Sequence, residues 1–139
     1  MSNSQEMLEA LDQQDLTRAD HYFQKALVED SDDLLLELAY YLEGIGFYPQ
    51  ARQIYEKLAP IFPEVNLNLA SIASEDGQIE EAFAYLEEIQ PNSDSYVSAL
   101  VLKADFYKME GLTDVAREKL LEALNYSDDP LLIFGLAEL

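Results

Sequence analysis

The sequence predicts an all-α fold, a row of antiparallel helix pairs, and three observations support this prediction. A pattern of a small residue or Gly, an apolar residue, Ala, and then an aromatic residue or Leu occurs four times. The pattern alanines lie about 31 to 34 residues apart, a period typical of stacked helical repeats. Single glycines follow three of the predicted helices, where a helix-ending left-handed conformation favours Gly. The pattern alanines are Ala19, Ala51, Ala82 and Ala116.

Each repeat is predicted to contain two amphipathic helices joined by a tight turn, because apolar residues recur at helical spacing within each segment. The predicted helices are residues 3–14 and 16–30, 32–43 and 48–60, 64–76 and 79–90, and 93–110 and 113–126. The repeats span approximately residues 3–30, 31–62, 63–92 and 93–128, and residues 129–139 begin a further helix. We therefore expect a single domain over residues 1–139, about four repeats plus the first helix of a fifth.

The turns and helix starts can be assigned in chain order. Gln14 occupies the place of the turn glycine in the first repeat, and Ser31 with Asp32 is a plausible N-cap for the second. Ser93 is the corresponding candidate in the fourth repeat. Pro130 suits a first helical turn, and the apolar stretch that follows it resembles the opening of another first helix.

Composition excludes several classes of function. The formal charge is −20, from 28 acidic and 8 basic residues. Such a surface repels phosphate backbones and anionic lipid, so we expect neither nucleic-acid nor membrane binding. The N-terminus lacks the features of a signal peptide, and no apolar run reaches the roughly 18 residues of a membrane span. The absence of cysteine excludes disulfides and thiolate chemistry, and a cytoplasmic setting is the default expectation.

Candidate reactive groups have simpler structural interpretations. The acidic stretch of residues 29–33 resembles part of a calcium loop, but it lacks the turn Gly and the closing Glu. His21 is the sole histidine, so a His pair, a zinc cluster or a His-dependent relay cannot form within one chain. Adjacent acid pairs such as Glu80 and Glu81 point in different directions on a helix. We therefore expect no cofactor, no metal site and no catalytic residue.

The period, the turn and the pattern residues together resemble the tetratricopeptide repeat family. The second repeat is the clearest match, through Leu35, Leu38, Ala39, Leu42, Gly46, Tyr48, Ala51, Tyr55, Leu58 and Pro63. The resemblance implies a right-handed superhelical array whose first helices line a concave, partner-binding groove. The groove positions with which some members grip chaperone C-termini hold Ser4, Leu8, Asn68, Ser98 and Leu102 here, and only the Asn agrees. That activity is not expected.

Carried onto this chain, the resemblance predicts ten groove residues: Asp33, Glu37, Tyr40, Glu43, Asn68, Ser71, Glu75, Asp105, Lys108 and Met109. The charge distribution independently favours an acidic groove. Acidic residues divide almost evenly between first and second helices, whereas six of the eight basic residues fall on predicted second helices. We therefore expect a non-enzymatic scaffold that binds a basic or amphipathic protein segment.

Three alternatives remain at this stage. The acidic first-helix face is equally explained as a solvated surface. The chain could also self-associate, with two copies forming a homodimer through the apolar C-terminal helix. The least favoured alternative is an enzyme that uses a carboxylate cluster, with or without a divalent metal.

Overall fold

The structure is a computed structural model that describes residues 1–139. It contains nine α-helices and no β-strand. The helices are α1 (Asn3–Asp12), α2 (Leu16–Glu29), α3 (Asp32–Gly44), α4 (Tyr48–Leu58), α5 (Val65–Glu75), α6 (Ile79–Glu87), α7 (Tyr96–Met109), α8 (Thr113–Ala123) and α9 (Pro130–Ala137).

The chain divides into two compact units, unit 1 (Met1–Ile61) with α1 to α4 and unit 2 (Phe62–Leu139) with α5 to α9. In both units each first helix packs mainly against the helix that follows it, and α9 packs against α8. The predicted all-α fold of adjacent helix pairs is therefore confirmed.

The pattern alanines lie where the two helices of a pair approach each other. All four are buried, as are the aromatic residues or leucines four positions later, namely Phe23, Tyr55, Leu86 and Leu120. In unit 2, Ala82 packs with Ala70 and Ala73 of α5 in one apolar cluster. A small side chain is needed there because a larger one would hold the two helices apart.

The four turns that join the two helices within each pair share one backbone geometry. In the second turn, the Gly46 N–H donates to the Glu43 carbonyl (3.1 Å) and the Phe47 N–H donates to the Leu42 carbonyl (2.8 Å). This pair of bonds is the Schellman motif, which needs a positive φ at the residue after the C-cap. The same two bonds occur in the other three turns. The positive-φ residues are Gln14 (58°), Gly46 (88°), Gly77 (75°) and Gly111 (79°).

Several predicted helix boundaries were wrong by a few residues. The helix α7 begins at Tyr96 rather than at residue 93, because the Ser93 hydroxyl accepts a hydrogen bond from the Ser95 N–H (3.1 Å) and holds this segment in a turn. The helices α6 and α8 end at Glu87 and Ala123, about one turn before the predicted ends. By contrast, the predicted N-cap Ser31 does accept a bond from the Leu34 N–H.

The acidic stretch of residues 29–33 has a structural role at the start of unit 1. The Asp30 carboxylate accepts hydrogen bonds from the Ser4 N–H (2.9 Å), the Ser4 hydroxyl and the Asn3 side-chain amide (3.1 Å). Partial burial opposes ionisation of Asp30, but these hydrogen bonds outweigh it and lower its pKa below the ordinary value. The carboxylate thus ties the end of α2 to the start of α1.

Candidate functional site

Four of the predicted groove residues lie along α3 in unit 1. Asp33, Glu37 and Tyr40 are spaced four and three residues apart, which places them on one side of the helix. Both carboxylate residues are exposed, Tyr40 is about half exposed, and Glu43 is partly buried. The exposed part of this face therefore carries two negative charges and one aromatic ring.

Glu43 is engaged within unit 1. The buried Tyr55 hydroxyl donates to Glu43 Oε1 at 2.6 Å, and the Tyr40 ring centroid lies 6.0 Å from that of Tyr55. Burial first, and then the bond to Glu43, raise the pKa of Tyr55 far above its usual range, so its hydroxyl remains a neutral donor. Glu43 thus links α3 to α4 and is less available to a partner than Asp33 or Glu37.

The remaining predicted residues lie in unit 2. Asn68 and Ser71 on α5 are half-buried, and Glu75 near the end of α5 is exposed. Asp105, Lys108 and Met109 are all exposed on the second half of α7.

Unit 2 contains a cleft of about 420 Å³ whose walls come mainly from α7 and α9. Two predicted residues, Asp105 and Lys108, line this cleft, whereas Asn68, Ser71, Glu75 and Met109 do not. The lining residues are Leu67, Val97, Ser98, Val101, Leu102, Ala104, Asp105, Lys108, Leu120, Asp129, Leu131, Leu132, Gly135, Glu138 and Leu139.

The cleft combines apolar walls with an excess of negative charge. Its lining includes three carboxylates, Asp105, Asp129 and Glu138, and one cation, Lys108. Asp105 is open to solvent, but the surrounding protein partly desolvates its carboxyl group and so raises its pKa above the ordinary value, whereas the nearby Lys108 ammonium acts in the opposite direction. A carboxylate in a partly desolvated position gains more from a cationic ligand than a fully solvated one does.

Sequence reasoning missed most of the apolar wall. Val97 and Val101 were not among the predicted residues, although they precede Asp105 at intervals of four residues and so share its side of α7. That spacing was a usable signal. The contribution of α9 had no such signal, because every residue from Pro130 to Ala137 is apolar and none marks one side of the helix.

Gly135 lies next to the Leu120 side chain where α9 packs against α8. A Cβ at Gly135 would lie 3.3 Å from Leu120 Cδ1, which is tighter than an ordinary van der Waals contact. The absence of a side chain lets α9 pack against α8 without a shift of the Leu120 side chain by a few tenths of an ångström. This packing holds the α9 wall of the cleft in place.

No group of three or more metal-ligating side chains comes together anywhere in the chain. None of the nine helices combines the length and the apolar character needed to cross a membrane.

Four helix pairs joined by identical turns, at a spacing of thirty-odd residues, define the class of helical hairpin-repeat proteins. No protein-family model matches the chain. A curated relative, TPR repeat-containing protein YpiA of Bacillus subtilis (strain 168), is 31% identical over 116 residues. That match includes 81% of this chain, and the chain spans 27% of the relative's length. The repeat spacing, the shared turns and this relative together support the assignment of the chain to the tetratricopeptide repeat family.

Proposed function

We propose that this protein is a non-enzymatic interaction module that binds a basic, amphipathic segment of a protein partner. The relative's membership of a repeat family supports an interaction module in general terms. The finer proposal rests on one observation, the cleft of unit 2, in which apolar walls are combined with three carboxylates and one cation.

An amphipathic segment matches the chemistry of this cleft. Apolar side chains of the partner would remove Val97, Val101 and Leu131 from water, and each square ångström of apolar surface buried contributes about 25 cal/mol. Arg or Lys residues of the partner would lie near Asp105 and Glu138. Their attraction to these carboxylates would increase the association rate and select against acidic competitors.

The exposed face of α3 offers the same chemistry in unit 1. Asp33 and Glu37 supply negative charge, and the half-exposed Tyr40 ring can stack against a guanidinium group. We include this face in the proposal as a second contact surface for the same kind of segment.

A defined peptide can test the proposal. A fluorescein-labelled helical peptide with Leu at every third or fourth position and Lys at the others would be titrated in a fluorescence anisotropy assay. A second peptide with Glu in place of Lys serves as the reference. We expect saturable binding of the Lys peptide and at least tenfold weaker binding of the Glu peptide, because the cleft carries excess negative charge.

A matched pair of variants separates the cleft from the general acidity of the protein. Asp105→Lys reverses a charge in the cleft, whereas Glu118→Lys makes the same change on an exposed position of α8 outside the cleft. We expect Asp105→Lys to weaken the Lys peptide at least fivefold and Glu118→Lys to change it less than twofold. Equal effects would mean that a protein of charge −20 attracts cations without a specific site, and the proposal would be abandoned.

Self-association is a second candidate function, supported by one observation. Ile133 and Phe134 on α9 are both exposed by more than half. Two copies that met through this face would bury both side chains. Light scattering across a concentration series would detect such a dimer, and a constant monomer mass up to about 0.1 mM would reject an affinity tighter than that concentration.

A further inference from the structure

Unit 1 has a pocket of mixed polar and apolar lining at the edge that contains the α1–α2 and α3–α4 turns. The pocket has a volume of about 610 Å³ and lies between the α1–α2 turn and the C-terminal end of α3. We call it the turn-edge pocket. Its lining residues are Leu11, Asp12, Gln14, Leu16, Tyr41, Ile45 and Phe47.

Three of the five apolar side chains that line this pocket are exposed to solvent. The exposed fractions are 63% for Leu16, 51% for Tyr41 and 45% for Ile45. Neighbouring exposed apolar residues that form one patch are typical of binding surfaces, whereas single exposed ones are not informative.

The other repeats show that the fold does not require this apolar surface. Ile45 is the C-cap residue of α3, and the C-cap residues of the other first helices are Gln13, Asp76 and Glu110. The same turn geometry is thus formed with a polar residue at this position in three repeats. Ile45 therefore contributes an exposed apolar group that the turn itself does not need.

The electrostatics of the pocket favour a cation. The helices α1 and α3 both end there, and neither has a basic residue in its last turn. The partial negative charges of these two helix C-termini are offset by the partial positive charges of the N-termini of α2 and α4, which begin at the same edge. The full negative charge of the Asp12 carboxylate therefore determines the sign of the charge in the lining. The Arg18 guanidinium does not line the pocket and is bonded to Glu6 (2.7 Å) and Gln13 (3.1 Å).

We propose that the turn-edge pocket is a docking site for an apolar side chain that is flanked by Arg or Lys in a protein partner. The apolar group would contact Leu16, Ile45 and Phe47, and the cation would lie between the Asp12 carboxylate and the Tyr41 ring. A second copy of this chain is disfavoured as the occupant, because its charge of −20 opposes the negative charge of the pocket. This site is in unit 1 and does not depend on the cleft of unit 2.

NMR titration of the isotope-labelled full chain tests the proposal with three capped tetrapeptides, Leu-Arg-Leu-Arg, Ala-Arg-Ala-Arg and Leu-Glu-Leu-Glu. We expect the first peptide to shift the amide signals of residues 11–16 and 41–47. The apparent affinity from the same titration should be at least fivefold weaker for each of the other two peptides. Equal responses to the first two peptides would mean charge attraction alone and would overturn the proposal, as would the absence of shifts in these two segments.

A pair of variants provides the matched control. Ile45→Gln removes the exposed apolar group and introduces the residue type that Gln13 already supplies at the equivalent turn, so the variant is expected to fold. Val28→Gln makes a similar change at a position on α2 that is 82% exposed. We expect Ile45→Gln to weaken the first peptide at least fivefold and Val28→Gln to leave it unchanged.

Three results would contradict the docking site. Retention of the response in Ile45→Gln is one, and equal loss in both variants is the second. Concentration-dependent shifts of the same residues in the absence of peptide would identify the pocket as a contact between copies of this chain. Because the Asp105→Lys variant leaves the turn-edge pocket intact, failure at one site is distinguishable from failure at the other.

Discussion

Gly44 and Gly46 lie two residues apart at the end of α3 and are expected to respond in opposite directions to substitution by Ala. At both positions, no heavy atom lies within 4 Å of where a Cβ would be placed. Steric crowding is therefore absent from the comparison. The difference is the backbone, because Gly46 has a φ of 88° whereas Gly44 has no positive φ and belongs to the helix.

The magnitudes follow from the two backbone conformations. Ala at Gly46 must adopt a left-handed conformation, which costs roughly 1–2 kcal/mol. In both variants, Ala restricts the unfolded chain more than Gly does, and this restriction stabilises the folded state by about 0.4–1 kcal/mol. For Gly46→Ala, this gain offsets part of the cost of the left-handed conformation. We therefore expect Gly46→Ala to lower the free energy of unfolding by about 1 kcal/mol. Gly44→Ala should raise it by about 0.5 kcal/mol, since Ala is the better helix former.

Urea unfolding followed by circular dichroism at 222 nm measures both effects. The midpoint should decrease for Gly46→Ala and increase for Gly44→Ala, with an unchanged slope for both variants, because neither alters the surface exposed on unfolding. The double variant should lie between the two single ones. Its deviation from the sum measures any coupling between the two positions.

Two results would refute this reasoning. If Gly46→Ala left the midpoint unchanged or raised it, the turn would not hold residue 46 at positive φ. If Gly44→Ala destabilised the protein as much as Gly46→Ala, a feature other than backbone conformation would determine the response. Either result would also remove the basis for treating the four turns as equivalent.

Three further predictions use the same assay. Ala82→Arg should unfold its helix pair, since overpacking alone costs about 1–3 kcal/mol and the buried charge adds to it, whereas Ala84→Arg on the exposed side of α6 should be nearly neutral. An unchanged urea midpoint for Ala82→Arg would contradict the buried position. Gln14→Gly should stabilise unit 1 by about 0.5–1 kcal/mol, because Gln14 has a φ of 58°, and a lower midpoint would contradict this. Asp30→Ala should cost about 1–2 kcal/mol at neutral pH through its lost hydrogen bonds. Because the pKa of folded Asp30 is lowered, this difference in the free energy of unfolding should persist above about pH 4 and disappear as the pH falls through the folded pKa. A difference that did not change with pH would be inconsistent with ionisation of Asp30.

The repeat architecture was predictable because it depends on residues whose roles are local. Ala51 and Ala82 indicate where two helices approach, and Gly46 and Gly77 indicate where a helix ends. Gln14 shows the limit of this reasoning, because it occupies the glycine position of the first repeat and yet adopts a positive φ. The shared backbone hydrogen bonds nevertheless produce the same turn there.

The binding surfaces were less predictable for two physical reasons. The cleft of unit 2 depends on α9, whose apolar residues surround the helix and do not indicate which side faces α7. The turn-edge pocket depends on exposed side chains such as Leu16 and Ile45, which follow no helical period. The partner-binding roles of Asp33, Glu37 and the other groove residues remain predictions.

The common turn geometry has a consequence for how such chains change in length. A duplication or deletion that runs from one positive-φ residue to the next joins two backbone ends that already make the same pair of hydrogen bonds. The junction is therefore formed without a new loop, and only the side chains between neighbouring hairpins need to adapt. Gain or loss of whole hairpins is thus a low-cost way for repeat chains with this turn to change length.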